Sequence, residues 1–315
     1  MQRWDSRFHQ LSSGPFVGEI HQIQAGGVQL TKVTLNQVIQ SRGTQPPGSY
    51  VFVPVTPHNE SALWRGQKVT RGRMIILGPN DVMDHRTSSE YGNAFIAVNA
   101  ELVRRNVSVL LGAETEDMLA GRMVINVQTQ MNAQQRLQGW IMQLMAHPEV
   151  LQQPHAVKLI EDECIRRIAS EVSHAEGLTQ ADRRVVHRYQ LVRKAEEFVL
   201  HSIESPMTML DLCRELEVSE RTLHYAFREI HGISPMAYLK THRLNRVRQE
   251  LKSEDYATHS IAEIAGRWGF WHTGEFAADY RRLFGELPSA TRSLNNQTTF
   301  GTSCLSPSSI LLFPA

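Results

Sequence analysis

One unit occurs twice in this chain, and no other feature constrains the fold as tightly. Thr208, Met209, Asp211, Leu212, Cys213, Leu216 and Val218 recur as Ser260, Ile261, Glu263, Ile264, Ala265, Trp268 and Phe270, each 52 positions further on. Leu223, Phe227, Arg228, Ile230, Gly232 and Pro235 recur as Phe276, Tyr280, Arg281, Leu283, Gly285 and Pro288 at a displacement of 53. One residue has been added in the second turn.

Each copy reads as two helices joined tightly, over about 208–231 and 260–284. Thr208 and Ser260 are hydroxyl N-caps with an acidic residue three positions on, a capping-box spacing that Ser260 and Glu263 match more closely than Thr208 and Asp211. Gly269 supplies the positive φ that a sharp turn favours, whereas Glu217 at the equivalent site must turn without that freedom. Ser219 then caps a helix that turns Leu223, Phe227 and Ile230 inward and leaves Arg221, His224, Tyr225 and Arg228 on the opposite face. That is the pattern of a helix-turn-helix, whose second helix can enter the major groove and present its N-terminal side chains to base edges.

Between the copies, Pro235 suits a helix N1 position, and Tyr238, Leu244, Val247 and Leu251 carry a helix on to about Lys252. At roughly 18 residues, or ~27 Å, this helix is a strut that would set two recognition helices about one duplex turn (~34 Å) apart. Lys240, Arg243, Arg246, Arg248 and Lys252 face only Glu250 on it, an excess of cations suited to phosphates.

At these residues the chain resembles the AraC/XylS family of bacterial transcription regulators over about 205–292. The first half follows Ser219-x-Arg221-x-Leu223-x3-Phe227-Arg228-x3-Gly232-x-Ser234-Pro235-x2-Tyr238-Leu239-x3-Arg243-Leu244. The second follows Ile261-Ala262-x2-Ala265-x3-Gly269-Phe270 through Phe284-Gly285-x2-Pro288-Ser289. The strings Trp268 to His272 and Asp279 to Glu286 are similar to the subgroup containing ethanolamine-utilisation regulators. The resemblance implies base contacts from Arg221, His224 and Tyr225 in the first unit and from Thr273, Gly274, Ala277 and Ala278 in the second. Phosphate contacts would come from Arg228, Arg246, Arg281 and Arg282. Many family members carry Arg where this chain has Ala278, so the first motif is expected to supply most sequence discrimination. The partners implied are double-stranded DNA, a small-molecule effector, RNA polymerase and a second copy of the chain, with activation the commoner outcome.

The rest of the chain reads as α+β. With 315 residues, 41% of them hydrophobic and 21% charged, two ordinary domains are expected rather than a disordered or fibrous chain. Residues 16–98 are β-rich: Phe16 to Ile23, Val28 to Ile39, Tyr50 to Val55, Met74 to Leu77 and Phe95 to Val98 read as strands of a cupin-like barrel or sandwich. Gly26-Gly27, Pro46-Pro47-Gly48 and Gly78-Pro79-Asn80-Asp81 punctuate them. Residues 99–178 read as helical, with Val157, Ile160, Cys164, Ile168 and Val172 on one face and another helix over Ala133 to Ala146. This divides the chain into a sensing or dimerisation domain, 1–178, and a DNA-binding domain, 179–294, entered by an Arg-rich helix from about Asp182 to Ser202. A loose tail is expected over 295–315.

The net charge of +1 does not by itself announce a nucleic-acid partner, so that reading rests on the motifs. A polar start and the lack of any long apolar run predict an unexported, cytoplasmic protein without a membrane span. Cys164, Cys213 and Cys304 are too far apart for a disulfide framework or a zinc knuckle, and Cys304 reads as a free thiol. His58, Glu60, Asp81, Asp84 and His85 invite a metal-site reading, but no His-x-His pair accompanies them, and turn or surface positions suit them better. No catalytic motif nominates a nucleophile or base, so neither an enzyme nor a cofactor is expected. Two other classes stay open: a cupin-type metalloenzyme with a DNA-binding appendage, and a ligand-independent dimeric DNA-binding protein.

Overall fold

A computed structural model describes residues 4–56, 61–69, 73–79, 81–111, 124–127, 131–173, 175–178, 183–201, 208–297 and 308–313. The β-rich part is a sandwich of two antiparallel sheets rather than a closed barrel. Five strands form the smaller sheet: β1 (Asp5–Gln10), β4 (Ile39–Thr44), β9 (Val82–Arg86), β6 (Leu63–Trp64) and β7 (Gln67–Lys68), in that spatial order. The larger is ordered β12 (Ala175–Leu178), β11 (Val124–Val127), β8 (Arg73–Leu77), β5 (Ser49–Pro54), β10 (Tyr91–Asn99), β3 (Val28–Leu35), β2 (Gly18–Ala25) and β13 (Ser308–Phe313).

The larger sheet is buried on both faces, and its strand sequences show why. In β5, Val51 and Val53 point into the sandwich with Ile20, Leu35, Ile75 and Leu77, while Phe52 points the other way. Phe52 joins Leu30, Met74, Ile76 and Ile96 under a helical layer: α1 (Ala100–Leu111), α2 (Met131–Ala146) and α3 (Pro154–Ser173). In β5 and β8 successive residues on both faces are apolar, from Tyr50 to Pro54 and from Met74 to Leu77, so these two strands read as continuous hydrophobic runs, as doubly covered strands do. From α3, the expected Ile160, Cys164 and Ile168 are buried on this sheet. Gly26, with φ +57, makes the two-residue turn between β2 and β3.

The structure departs from expectation at several points: β11 and β12 are strands within the stretch 99–178 read as helical, and β1 precedes the stretch 16–98 read as β-rich. The run Val28 to Ile39 is not one strand: β3 ends at Leu35 in the larger sheet and β4 begins at Ile39 in the smaller. In the segment expected to be a loose tail, Ser308–Phe313 pairs antiparallel with the free edge of β2, from Ser308 opposite Ile23 to Phe313 opposite Gly18. Its Ile310-Leu311-Leu312-Phe313 run has the β-forming composition that an open edge recruits. Cys304, His58 and Glu60 lie outside the described residues.

The C-terminal part is helical: α4 (Arg183–His201), α5 (Met209–Glu215), α6 (Glu220–His231), α7 (Pro235–Leu251), α8 (Ile261–Arg267), α9 (Thr273–Phe284) and α10 (Pro288–Gln297). Along α7, Tyr238 and Leu239 enter the core of the first unit with Leu212, Leu223 and Phe227, and Leu244, Val247 and Leu251 enter the core of the second with Ile264, Phe276 and Tyr280. The strut is therefore shared core. Among the described residues no helix is long and apolar enough to cross a membrane.

Candidate nucleic-acid interface

Local capping builds both units. Thr208 and Asp211 close a complete capping box on α5, as Ser260 and Glu263 do on α8, so the first box is not the looser of the two. Ser219 Oγ accepts the Thr222 amide at 3.2 Å and starts α6, and Ser234 caps α7 with Pro235 in its first turn. Gly232 and Gly285, both left-handed, end α6 and α9. The turn within the second unit uses Gly269 at φ +79, whereas Glu217 in the first adopts φ +52 despite its side chain.

With Leu223, Ala226, Phe227 and Ile230 buried, α6 leaves Arg221, Tyr225 and Arg228 exposed and His224 half-buried. The Arg221 guanidinium lies 5.4 Å from the Tyr225 ring centroid, and His224 Nε2 lies 3.6 Å from Glu220. On α9, Phe276, Tyr280 and Leu283 are buried, Thr273, Gly274, Ala278, Arg281 and Arg282 are exposed, and Ala277 is half-buried. Arg282 pairs with Asp279 at 2.9 Å. Every base-contact residue read from the sequence thus lies on one of two recognition helices, toward its N-terminal half. Trp268 and Phe276 are buried in the core of the second unit, Phe270 packs against it half-buried, and Trp271 stands in solvent.

The strut cations are placed differently from the expectation. Lys240 pairs with Asp279, and Arg243 lies 5.9 Å from the centroid of Phe270. Arg246 lies 5.2 Å from that of Trp268, and Arg248 lies 4.6 Å from that of Phe284 while pairing with Glu286 at 2.6 Å. These cations fasten α7 to the second unit through cation–π and ionic contacts instead of lining an open phosphate track.

The β sandwich docks on this domain through the outer face of its smaller sheet, a contact with no local sequence signal. Asn245 of α7 accepts the Gln10 amide and donates to the Gln10 carbonyl, both at 3.0 Å, and so covers the edge of β1. Gln10 Nε2 also donates to the Leu283 carbonyl at the end of α9, at 2.6 Å. At the centre, Glu196 of α4 accepts from His231 Nε2 at 2.7 Å and from Arg193 at 2.6 Å, with Arg42 at 3.6 Å. Burial alone would raise the Glu196 carboxyl, but the His231 and Arg193 contacts outweigh it and hold the group at about 2. Asp84 accepts from Tyr189 at 2.8 Å, yet burial and the Glu196 charge push it up to about 6.

Beside this network a cavity of about 290 Å³ opens between β1, β4, α4 and α7, lined in part by Arg7, His9, Arg42, His242 and Arg246. Burial lowers His9 to about 4 and, with the neighbouring His9 and Arg246, lowers His242 to about 3. Arg246, read from the sequence as a phosphate contact, faces this cavity. His85 is buried inside the sandwich and stacks on Trp64 with ring centroids 4.5 Å apart. Among the described residues no group of three or more His, Cys, Asp and Glu side chains is gathered as a metal would need.

Two helix-turn-helix units joined by a shared helix, each exposing the face of its second helix, define a DNA-binding protein of the tandem type. Residues 212–293 match a family described as "Helix-turn-helix domain". "XylDLEGF operon transcriptional activator 2" of Pseudomonas putida is 30% identical over 45% of this chain and 85% of its own length. The chain belongs to the AraC/XylS family of transcription regulators. "Probable thc operon regulatory protein" of Rhodococcus erythropolis is 37% identical, over 31% of this chain and 30% of that protein's length. Among solved structures, an AraC-type regulator from Chromobacterium violaceum is 30% identical over 35% of this chain and 95% of its own, with a TM-score of 0.32. ToxT from Vibrio cholerae is 12% identical over 94% of this chain and 99% of its own, with a TM-score of 0.33.

Proposed function

We propose that the protein is a ligand-responsive transcriptional activator that reads two successive major grooves of double-stranded DNA, with α6 supplying most of the base discrimination. The observation that carries this reading is the pair of α6 and α9, each with its apolar side in its own core and its N-terminal polar side exposed. Arg221 donates to guanine, His224 and Tyr225 reach neighbouring edges, and Thr273 and Ala277 make the shorter contacts of the second groove. Arg228, Arg281 and Arg282 grip phosphates, and Arg246 is reassigned to the cavity it lines.

A small metabolite is the proposed signal. The cavity beside β1 and β4 is shared with Glu196 and Val199 of α4, so its occupancy bears directly on the helix that leads into the DNA-binding units. RNA polymerase and a second copy of the chain are the proposed protein partners, and no enzymatic role is assigned.

The test is selection of genomic fragments by the purified protein, with and without metabolite extract, followed by fluorescence anisotropy. Preference for selected over scrambled duplex at moderate salt is expected, and equal affinity for both sinks the reading. Arg282→Ala should weaken all duplexes alike and lower the salt slope by about one.

A further inference from the structure

The residue that breaks the 52-residue period of the repeat can be identified from the helix caps. Val218 corresponds to Phe270 at a displacement of 52, and the N-cap Ser219 corresponds to the N-cap His272 at 53. Between Phe270 and His272 stands Trp271, which has no counterpart in the first turn. It is 76% exposed, more than any other large hydrophobic residue described. An indole offers the largest apolar surface of any side chain and ordinarily contributes by burial. This one is held in water, yet it is braced: a Cβ at Gly266 would lie 3.6 Å from the Trp271 ring, so the ring rests against α8 at a position without a side chain.

We propose that Trp271 is a DNA-reading residue of the second unit, making an apolar contact with a thymine methyl in the major groove. The inference rests on the reading that both units bind DNA. Trp271 directly precedes the N-cap of α9, the end of a recognition helix that enters the groove. The side chains that follow, at Thr273, Gly274, Ala277 and Ala278, are too short for two-point hydrogen bonding to a base edge. An indole extends further and supplies the apolar mode of readout that a thymine methyl permits, while its N–H can donate to a phosphate. Its exposed neighbours are small or polar, at His272, Thr273, Gly274 and the acidic Glu275, with Arg281 and Arg282 further along the helix. A protein-docking hot spot sits instead at the centre of an apolar patch.

The experiment uses the full chain and a duplex selected from genomic DNA, read by anisotropy and footprinting. Trp271→Ala should weaken binding to the selected duplex about tenfold, leave scrambled duplex within about twofold, and leave the melting temperature unchanged. Trp271→Phe should recover part of the loss. Deoxyuridine in place of thymine in the half of the site protected by the second unit should weaken the unaltered protein but not Trp271→Ala. Binding by Trp271→Ala that equals the unaltered protein overturns the proposal, and if activation alone is lost the residue belongs to a protein contact. Equal loss on both duplexes overturns the base-reading role. Failure of the unaltered protein to prefer any fragment sinks the DNA-binding reading itself, a separate result.

Discussion

The two helix-turn-helix units share an interior and differ at the surface. Phe227 and Tyr280 occupy equivalent places in the repeat and are both fully buried, each in a cluster completed by α7. Outside, α6 carries Arg221, His224, Tyr225 and Arg228 behind a serine cap, whereas α9 begins with Thr273 and Gly274 behind His272, whose side chain makes no capping bond. Duplication preserves what packing requires and releases what packing does not fix: interior positions answer to volume, exposed ones to whatever the helix meets.

The largest expected effects test the shared interior. Phe227→Ala and Tyr280→Ala should each cost about 3–5 kcal/mol of stability by denaturant unfolding, and a difference of more than ~2 kcal/mol between them would break the symmetry. The surface contrast comes next. Arg221→Ala should remove about 1–3 kcal/mol of discrimination at one base pair, while Thr273→Ala changes affinity by less than about threefold; comparable losses would erase the proposed division of labour. Capping gives a smaller contrast: Ser219→Ala should lower stability by about 1 kcal/mol, whereas His272→Asp should raise it by several tenths, followed by thermal melting. Smallest is the turn. Glu217→Gly should stabilise by roughly 0.5 kcal/mol because φ +52 suits glycine, and a loss of stability would show that the Glu217 side chain does more than tolerate its backbone.

What could be read in advance followed from local chemistry. Hydroxyl caps, Gly269 and the apolar spacing of α5 to α9 are short-range signals, and the structure places those helices within a few residues of expectation. In the larger sheet, strands buried on both faces announce themselves as apolar runs. The smaller sheet went almost unread because one face is polar. Arg7, His9, Gln40, Arg42, Asp84 and Arg86 line up across β1, β4 and β9, and their partners lie far along the chain: Tyr238 donates to Gln40 at 2.9 Å across 198 residues. Such pairings have no period, so single-chain reading finds only isolated polar residues. The strut arginines mislead for the same reason, since their aromatic partners lie beyond the strut, Trp268 and Phe270 in the turn after α8 and Phe284 at the end of α9. That a residue is added in the second turn is visible in the sequence, but that it is Trp271 follows from the helix caps of the structure, as its exposure does from its place beside α8.

The docking of the sandwich on the helices has a consequence for how the two halves part. The hydrogen bonds that cross the joint, Gln40 with Glu196 and Tyr238, Asp84 with Tyr189 and Gln10 with Asn245, are made by groups that water can also satisfy, and Leu11 adds an apolar contact with the first unit's core. Greasy faces pulled asunder would seek each other again or clump with strangers. Here separation would trade most of one set of polar partners for another, so parting these halves costs less than baring an apolar face of the same size.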